Sequence, residues 1–449
     1  MPQNQIDASS TSHQQTPIAS AGLPNTRPSV DEALRKSGID PDRLSIFQLG
    51  LKSHLVSLPP WAWQLFVGAA LWIASTLTHD FLFATSPYLL AAIELITGLI
   101  ILMAACEVLV TATERLAARY QWNHYTAGTL AEILSTIPEL VVIAFIIPVS
   151  PATAFVISVV TIYNNAFVFS LYSYFLPKDK HGKFVMPVPI TEAGTQILIG
   201  GGAMGLVLGL VMLAFSSTSQ TKNSFNAIDL TFISLILLFI FAVYMYKLTT
   251  SYAKEESKVR ENLSMSTQDI EERLTIVYQN IKPTSFPIII ALFVVGVIGA
   301  FVGGHSVSSF ATIMISDLQF NAILTALILA GFAGMSEYVI LWQSHRRQEY
   351  GIALANAFGG ITQVMFLVLP YTLLGIAVYQ TFFNPGHPEL PLDFSLSNIF
   401  LLLFLFPTFY TLSSLLEEDH TLGILDTTIM TGIFLFLIVL LVTHAGNTT

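Results

Sequence analysis

Long apolar runs recur along the chain from about residue 60 onward, and short polar stretches separate them. Each is close to the roughly 20 residues that a helix needs to cross the hydrocarbon core of a bilayer. Because a chain in lipid must satisfy its own backbone hydrogen bonds, the runs predict an all-α integral membrane protein. We predict eleven transmembrane helices, at 61–79, 86–112, 125–147, 152–176, 192–214, 228–248, 286–308, 322–343, 351–379, 397–415 and 421–443.

The composition supports a membrane protein, because the chain is 53% hydrophobic and only 11% charged, against about a quarter charged residues in a soluble domain. No basic patch with interleaved aromatics is present, so we expect no nucleic-acid partner. The motifs of zinc proteases, serine hydrolases and phosphate-binding loops are absent, so we expect neither an enzyme nor an organic cofactor. The single cysteine excludes an intrachain disulfide.

Two stretches of the chain resemble each other at a constant spacing of 198 residues (337 − 139 = 198), which carries Glu139 onto Glu337. The same spacing carries Gln121-Trp122-Asn123 onto Gln319-Phe320-Asn321. A duplicated membrane unit with an acid at the same depth in each copy is typical of proteins that build one central ion site between two repeats.

Lys and Arg positions predict the orientation, because basic residues favour cytoplasmic loops. With the N-terminus in the cytoplasm, only Lys222 of the 19 basic residues falls outside. Each copy then has five helices, an odd number, so the two copies must be inverted relative to each other. The predicted units are a disordered cytoplasmic tail at 1–57, an extra helix at 58–84, the first repeat at 85–248, a cytoplasmic linker at 249–285 and the second repeat at 286–445.

Candidate cation ligands surround the two repeated acids. Glu139 follows Pro138, and a proline inside a helix frees a carbonyl that can face a cavity. The second acid follows glycines that loosen its helix instead. Carboxylate, hydroxyl and amide oxygens are ligands for a hard cation such as Ca²⁺. The predicted set is Glu139, Glu337, Ser135, Thr136, Ser336, Asn164, Asn165, Thr362 and Gln363.

Other roles, several of them purely structural, remain open for these and neighbouring residues. Either acid alone can be a buried carboxyl kept protonated by a hydrogen bond, and amide side chains often join membrane helices. Glu132 is a proton relay, a vestibule charge or a carboxyl paired with an arginine at the inner mouth. Glu107 and His305 occupy equivalent positions, and they either form a titratable gate at the centre or serve structural roles.

The segments around the two acids resemble the calcium/cation antiporter superfamily. Ser135-Thr136-Ile137-Pro138-Glu139-Leu140 is similar to the first repeat of sodium/calcium exchangers. Ala355-Asn356-Ala357-Phe358-Gly359-Gly360-Ile361-Thr362-Gln363 is similar to the second repeat of the calcium/proton exchanger branch, of which the chain would be a divergent member. The resemblance implies alternating access, with Glu139 and Glu337 as central metal ligands and Asn165 and Gln363 nearby.

The sequence therefore predicts a secondary antiporter of inorganic cations in an inner or plasma membrane, with Ca²⁺ exchanged for H⁺ or Na⁺. A Na⁺/H⁺ or K⁺/H⁺ antiporter that uses the same site is the alternative. A passive cation channel or a membrane scaffold without transport activity is the alternative of a different class.

Overall fold

A computed structural model of the chain describes residues 59–120, 133–180, 182–186, 190–217, 224–262, 285–346, 350–383, 392–393, 395–417 and 420–445. The predictions for the tail at 1–57, most of the linker at 249–285, the Gln121–Asn123 loop and Glu132 lie outside these residues.

Six α-helices make up the first half of the described chain. The first helix and the fourth begin with proline, whose missing N–H costs nothing at that position, and Ser150 caps the fourth by accepting from the backbone N–H of Thr153 at 3.2 Å. A π-helical turn, Ile190–Gly194, leads into the fifth. The helices are α1 (Pro60–Thr85), α2 (Pro87–Tyr120), α3 (Ile137–Ile146), α4 (Pro151–Tyr172), α5 (Thr195–Ser217) and α6 (Ala227–Asn262).

Eight α-helices follow in the second half. Asn321, in the repeated Gln-x-Asn motif, caps the second of them, because its Oδ1 accepts from the backbone N–H of Leu324 at 3.3 Å. The helices are α7 (Phe286–Thr312), α8 (Ala322–Ala333), α9 (Met335–Arg346), α10 (Tyr350–Gln363), α11 (Leu369–Phe382), α12 (Leu396–Leu403), α13 (Leu405–Glu417) and α14 (Ile424–Ala445). The π-helical turns Ile313–Asp317 and Val364–Val368 follow α7 and α10.

Every predicted apolar segment overlaps a helix, and the prediction of a helical membrane protein is confirmed. Three segments are each interrupted by a turn. The turns lie at Thr136, at Gly334 and at Phe404, and Phe404 comes three residues before Pro407, which cannot bond the carbonyl of Leu403. Within the described residues, eight helices are long and apolar enough to span a bilayer, and Ile133–Ile146 and Ile424–Leu440 are shorter apolar helices. The count of eleven crossings stays a prediction.

The first helices of the two halves, α2 and α7, pack against each other in opposite directions. Gly98 of α2 lies against Gly303 of α7, whereas Leu109, further along α2, lies against Gly296, which comes earlier in α7. Opposite directions for two equivalent helices are the geometry expected of repeats that are inverted relative to each other.

Two small antiparallel sheets connect loops from different halves. The strands are β1 (Phe184–Val185), β2 (Ser224–Phe225), β3 (Leu392–Asp393) and β4 (Thr421–Leu422). β1 pairs with β4, and β2 pairs with β3, so exchanging the halves exchanges the two sheets. In the predicted topology both loops of the first sheet are cytoplasmic and both loops of the second are external, so the pairing agrees with the alternation of the predicted spans.

The core lies around α4, which packs against α8, α10, α11 and α14. Phe155, Tyr163 and Phe169 of α4 are fully buried, as are Phe358 of α10 and Phe366 after it. α4 is buried along most of its length and carries buried polar residues such as Ser158 and Asn165. By contrast, most of α1 is exposed along one side of the molecule, so α1 lies at the periphery and α4 at the centre.

The contact between Gly98 and Gly303 predicts that even one added methyl group destabilises the α2–α7 pair. A Cβ on Gly98 would lie 2.8 Å from the carbonyl oxygen of Gly303, and a Cβ on Gly303 would lie 2.9 Å from that of Gly98. We expect Gly98→Ala or Gly303→Ala to cost about 1–3 kcal/mol, measured by thermal unfolding in detergent. Gly432→Ala is the control, because a Cβ there meets nothing within 4 Å; equal loss in the control would contradict the packing argument.

Candidate functional site

Glu139 lies in the first turn of α3, directly after a break in the helix. Residues 133–135 are helical, Thr136 forms a turn, and α3 starts at Ile137. Pro138 has no N–H to give to the carbonyl of Leu134, so that carbonyl is released from the helix. The N-terminus of a helix also favours negative charge, so the break prepares a place for the carboxylate and for a cation beside it.

A cavity of about 50 Å³ lies against Glu139, between helices of both halves. Its walls come from α2, α3, α4, α7 and α8 and from Val368 before α11, and most of them are apolar. This volume holds a few water molecules or an ion. The polar side chains that line the cavity are Cys106, Ser135, Glu139 and Thr161. The Cys106 thiol also lies 3.7 Å from the carbonyl oxygen of Ser135, at the same break.

Glu337 occupies the equivalent place in the second half, in the first turn of α9 after the break at Gly334. Its carboxylate lies directly against Gly360 of α10, where a Cβ would come within 2.8 Å of the carboxyl carbon. Asn356, one turn earlier on α10, donates from Nδ2 to the backbone carbonyl of Glu337 at 3.3 Å. Glycine at 360 therefore makes room for the carboxylate at the helix break.

The predicted amide pair on α4 faces the second half. Asn164 donates from Nδ2 to the carbonyl of Ala330 on α8 at 3.2 Å and to the hydroxyl of Tyr338 on α9. Asn165 is 1% exposed, and neither atom of its amide has a hydrogen-bond partner in the described part of the chain. A buried amide without partners costs about 1–3 kcal/mol, so Asn165 is suited to receive a ligand.

The equivalent pair on α10 faces the first half. The hydroxyl of Thr136, at the break before α3, donates to Oε1 of Gln363 at 2.8 Å. Both side chains are buried. Thr362 donates its hydroxyl proton to the carbonyl of Gly359 in its own helix at 3.0 Å, so its oxygen keeps lone pairs but its proton is used locally.

Tyr338 directly follows Glu337 on α9, and its hydroxyl accepts a hydrogen bond from Asn164 of the first half. The structure thus brings together the two repeated acids, the α4 amides and the Thr136–Gln363 pair at the two helix breaks. Ser135 belongs to this group through the cavity. Ser336 lies in the first turn of α9, but its side chain is outside the described residues, and so is Glu132.

Glu107 and His305 are not brought together. Glu107 lies nine residues along α2 from Gly98 (107 − 98), which is roughly 13 Å of helix rise. His305 lies beside Gly303, which packs against Gly98. In the described chain no hydrogen bond or ion pair joins the two side chains; His305 is exposed, and its ring packs edge-on against Phe145 with centroids 5.9 Å apart. Because α2 and α7 are antiparallel, equivalent positions away from the crossing lie at different depths.

Sequence reasoning gave no signal for Tyr338 or for the burial of Glu94. The residue equivalent to Tyr338 in the first half is Leu140, so the repeat gives no signal for a tyrosine. Glu94 is 5% exposed and accepts a hydrogen bond from Ser75 of α1. This buried carboxyl is held by the peripheral helix and is not among the residues that line the cavity at Glu139.

The second half of the chain, residues 288–443, matches the family model described as sodium/calcium exchanger protein. No curated protein matches the sequence. Among solved structures, the fold is similar to the H⁺/Ca²⁺ exchanger CAX, with a TM-score of 0.58 and 12% identity over 84% of this chain and 88% of that one. It is also similar to native YfkE, with a TM-score of 0.50 and 15% identity over 84% and 99%.

These findings confirm the resemblance to the calcium/cation antiporter superfamily, at low sequence identity. The matched family consists of transporters, so the expectation that the chain is not an enzyme is confirmed. The matches support a multi-pass integral membrane protein that exchanges inorganic cations, and they leave the cargo and its counter-ion open.

The hydrogen bond between Thr136 and Gln363 predicts an energetic coupling between the two halves. Thr136→Val and Gln363→Met each remove the bond with little change in volume, so their costs in thermal stability should be less than additive by about 1 kcal/mol. The control cycle combines Thr136→Val with Ser158→Ala, whose hydroxyl bonds Thr372 instead. That cycle should be additive; additivity in the first cycle would show that the bond contributes nothing.

Proposed function

We propose that the protein is a secondary active antiporter that exchanges Ca²⁺ for H⁺ across a membrane by alternating access. One observation carries the proposal: Glu139 and Glu337 each lie in the first turn of a helix after a break, and Thr136 at the first break donates to Gln363, on the helix whose Gly360 faces the Glu337 carboxylate. Two acids at two such breaks, one from each repeat, are the usual construction of a central ion site.

The donor set favours a hard divalent cation. Glu139 and Glu337 supply two negative charges, and neutral oxygens are available from the Asn165 amide and the Thr136 hydroxyl. Ca²⁺ takes six to eight oxygen ligands of these kinds. One of the two solved structures with a similar fold, CAX, is of an H⁺/Ca²⁺ exchanger.

The coupling follows from competition for the two carboxylates. Two ionised carboxylates without a cation are too costly to move through a low-dielectric bundle, so the halves reorient only when the site holds Ca²⁺ or protons. We infer protons rather than Na⁺, because the partners of the acids are neutral amides and hydroxyls. The N-terminus lies in the cytoplasm of an inner or plasma membrane, with 85–248 and 286–445 as the two inverted repeats around the site.

The test is Ca²⁺ flux in everted membrane vesicles with an imposed proton gradient. We expect wild-type vesicles to accumulate Ca²⁺ when the gradient is present, and Glu139→Gln or Glu337→Gln to reduce the initial rate at least 100-fold while the protein still folds. Glu94→Gln is the matched control, because it replaces a buried membrane carboxyl that is outside the site. Its rate should stay within about twofold of wild type.

The other outcomes separate the alternatives. Ca²⁺ movement that requires a sodium gradient would show that Ca²⁺ transport is coupled to Na⁺ rather than to H⁺. Exchange of Na⁺ or K⁺ for H⁺ without Ca²⁺ movement supports the monovalent antiporter. Dissipation of a Ca²⁺ gradient without a counter-ion gradient supports a channel, and a protein that folds but moves no ion at all is a scaffold. Full transport in both glutamate variants would overturn the site.

A further inference from the structure

We propose that the hydroxyl of Tyr338 is a working part of the cation site, where its oxygen serves as a neutral ligand for the cation. The proposal rests on the proposed function and adds to it a ligand that belongs to the second half alone.

The fold places the phenol at the break between α8 and α9. Tyr338 follows Glu337 on α9, and its ring turns back over Gly334, where a Cβ would lie 2.8 Å from the hydroxyl oxygen. A side chain at position 334 would therefore push the ring away. The absence of a side chain at 334 thus lets the phenol occupy the break itself, where a cation would meet the freed end of the helix.

Asn164 fixes the orientation of the hydroxyl. Its Nδ2 donates to the Tyr338 oxygen and also to the carbonyl of Ala330 at 3.2 Å, so the amide is held from two sides. A phenol has one proton to donate and two lone pairs to accept. The Asn164 bond uses one lone pair, and no acceptor for the Tyr338 proton is found among the described residues. One proton and one lone pair are therefore still available.

The position of the oxygen suits it to the site. Tyr338 directly follows Glu337 on α9, and Asn164, which holds the phenol oxygen, directly precedes Asn165, whose buried amide has no hydrogen-bond partner in the described part of the chain. Rotation about the C–O bond can aim the remaining lone pair at a cation while the ring stays in place.

The phenol also makes the two repeats unequal. The position equivalent to Tyr338 in the first half is Leu140, which has no polar atom. A phenol oxygen adds a ligand without adding charge, and the affinity of an oxygen site depends on its charge count and its rigidity. We therefore expect Tyr338 to raise the affinity of the site for the cation, while the two glutamates make binding possible.

The test is Tyr338→Phe in the flux assay, with KM for Ca²⁺ and the maximal rate measured separately across a range of pH. Loss of one ligand or hydrogen bond corresponds to about a 3- to 10-fold rise in KM, with the maximal rate within about threefold of wild type. A packing role would instead lower thermal stability and leave KM unchanged.

Tyr163→Phe is the matched control. Tyr163 is a buried tyrosine immediately before Asn164, but its hydroxyl donates to the carbonyl of Leu401 at 2.5 Å, on α12. Its loss should lower thermal stability and leave KM unchanged. Tyr338→Leu, which copies the residue of the first half, gives the same test if the phenylalanine variant unfolds.

Asn164→Leu in the Tyr338→Phe background identifies how Asn164 acts. If Asn164 works by holding the phenol, its additional effect on KM should be smaller than in the wild-type background. An unchanged KM in folded Tyr338→Phe and Tyr338→Leu overturns the proposal. Glu139→Gln and Glu337→Gln test the site itself. If these two variants lose transport while the Tyr338 variants keep the wild-type KM, the role of the phenol is rejected and the proposed function stands.

Discussion

The arrangement depends on one constraint: inside a membrane bundle, a backbone carbonyl or amide that leaves its helix must find a partner in the protein or face a cavity. The chain breaks a helix at two equivalent places, before Ile137 and at Gly334, and both lie in the interior. Proline opens the first break and glycine opens the second. Each places a glutamate in the first turn of a new helix, where the helix dipole favours the charge. The site is a direct result of these two interruptions.

Several hydrogen bonds at the centre run between the two halves. Thr136 of the first half donates to Gln363 of the second, and Asn164 of the first donates to Ala330 and Tyr338 of the second. The hydroxyls of Ser158 and Thr372 meet across the same boundary. Relative motion of the halves must therefore rearrange the polar groups around the cation. Asn165 has no hydrogen-bond partner in this arrangement of the halves within the described residues. Its amide can therefore form hydrogen bonds in the arrangement that the halves adopt after they move.

The helices and the two acids are accessible to sequence reasoning because they follow from period, length and repetition. Apolar runs locate the spans, and the constant spacing pairs Glu139 with Glu337. Comparison of the repeats detects only what the two repeats share, however, so it could not reveal Tyr338, whose equivalent in the first half is Leu140. It also could not show that Glu94 is buried, because that depends on where α1 packs. Glu107 and His305 occupy equivalent positions in the two repeats, which suggested that they are in contact. Equivalent residues of two inverted repeats meet only where the two helices cross, however, and these two lie away from the crossing.

The two small sheets have a mechanical consequence. The pair β1–β4 and the pair β2–β3 each tie a loop of one half to a loop of the other. In the predicted topology the two ties lie at opposite faces of the membrane, so each limits how far the halves can part at its own face. Separation of the halves beyond the reach of these loops would require breaking backbone hydrogen bonds in a sheet.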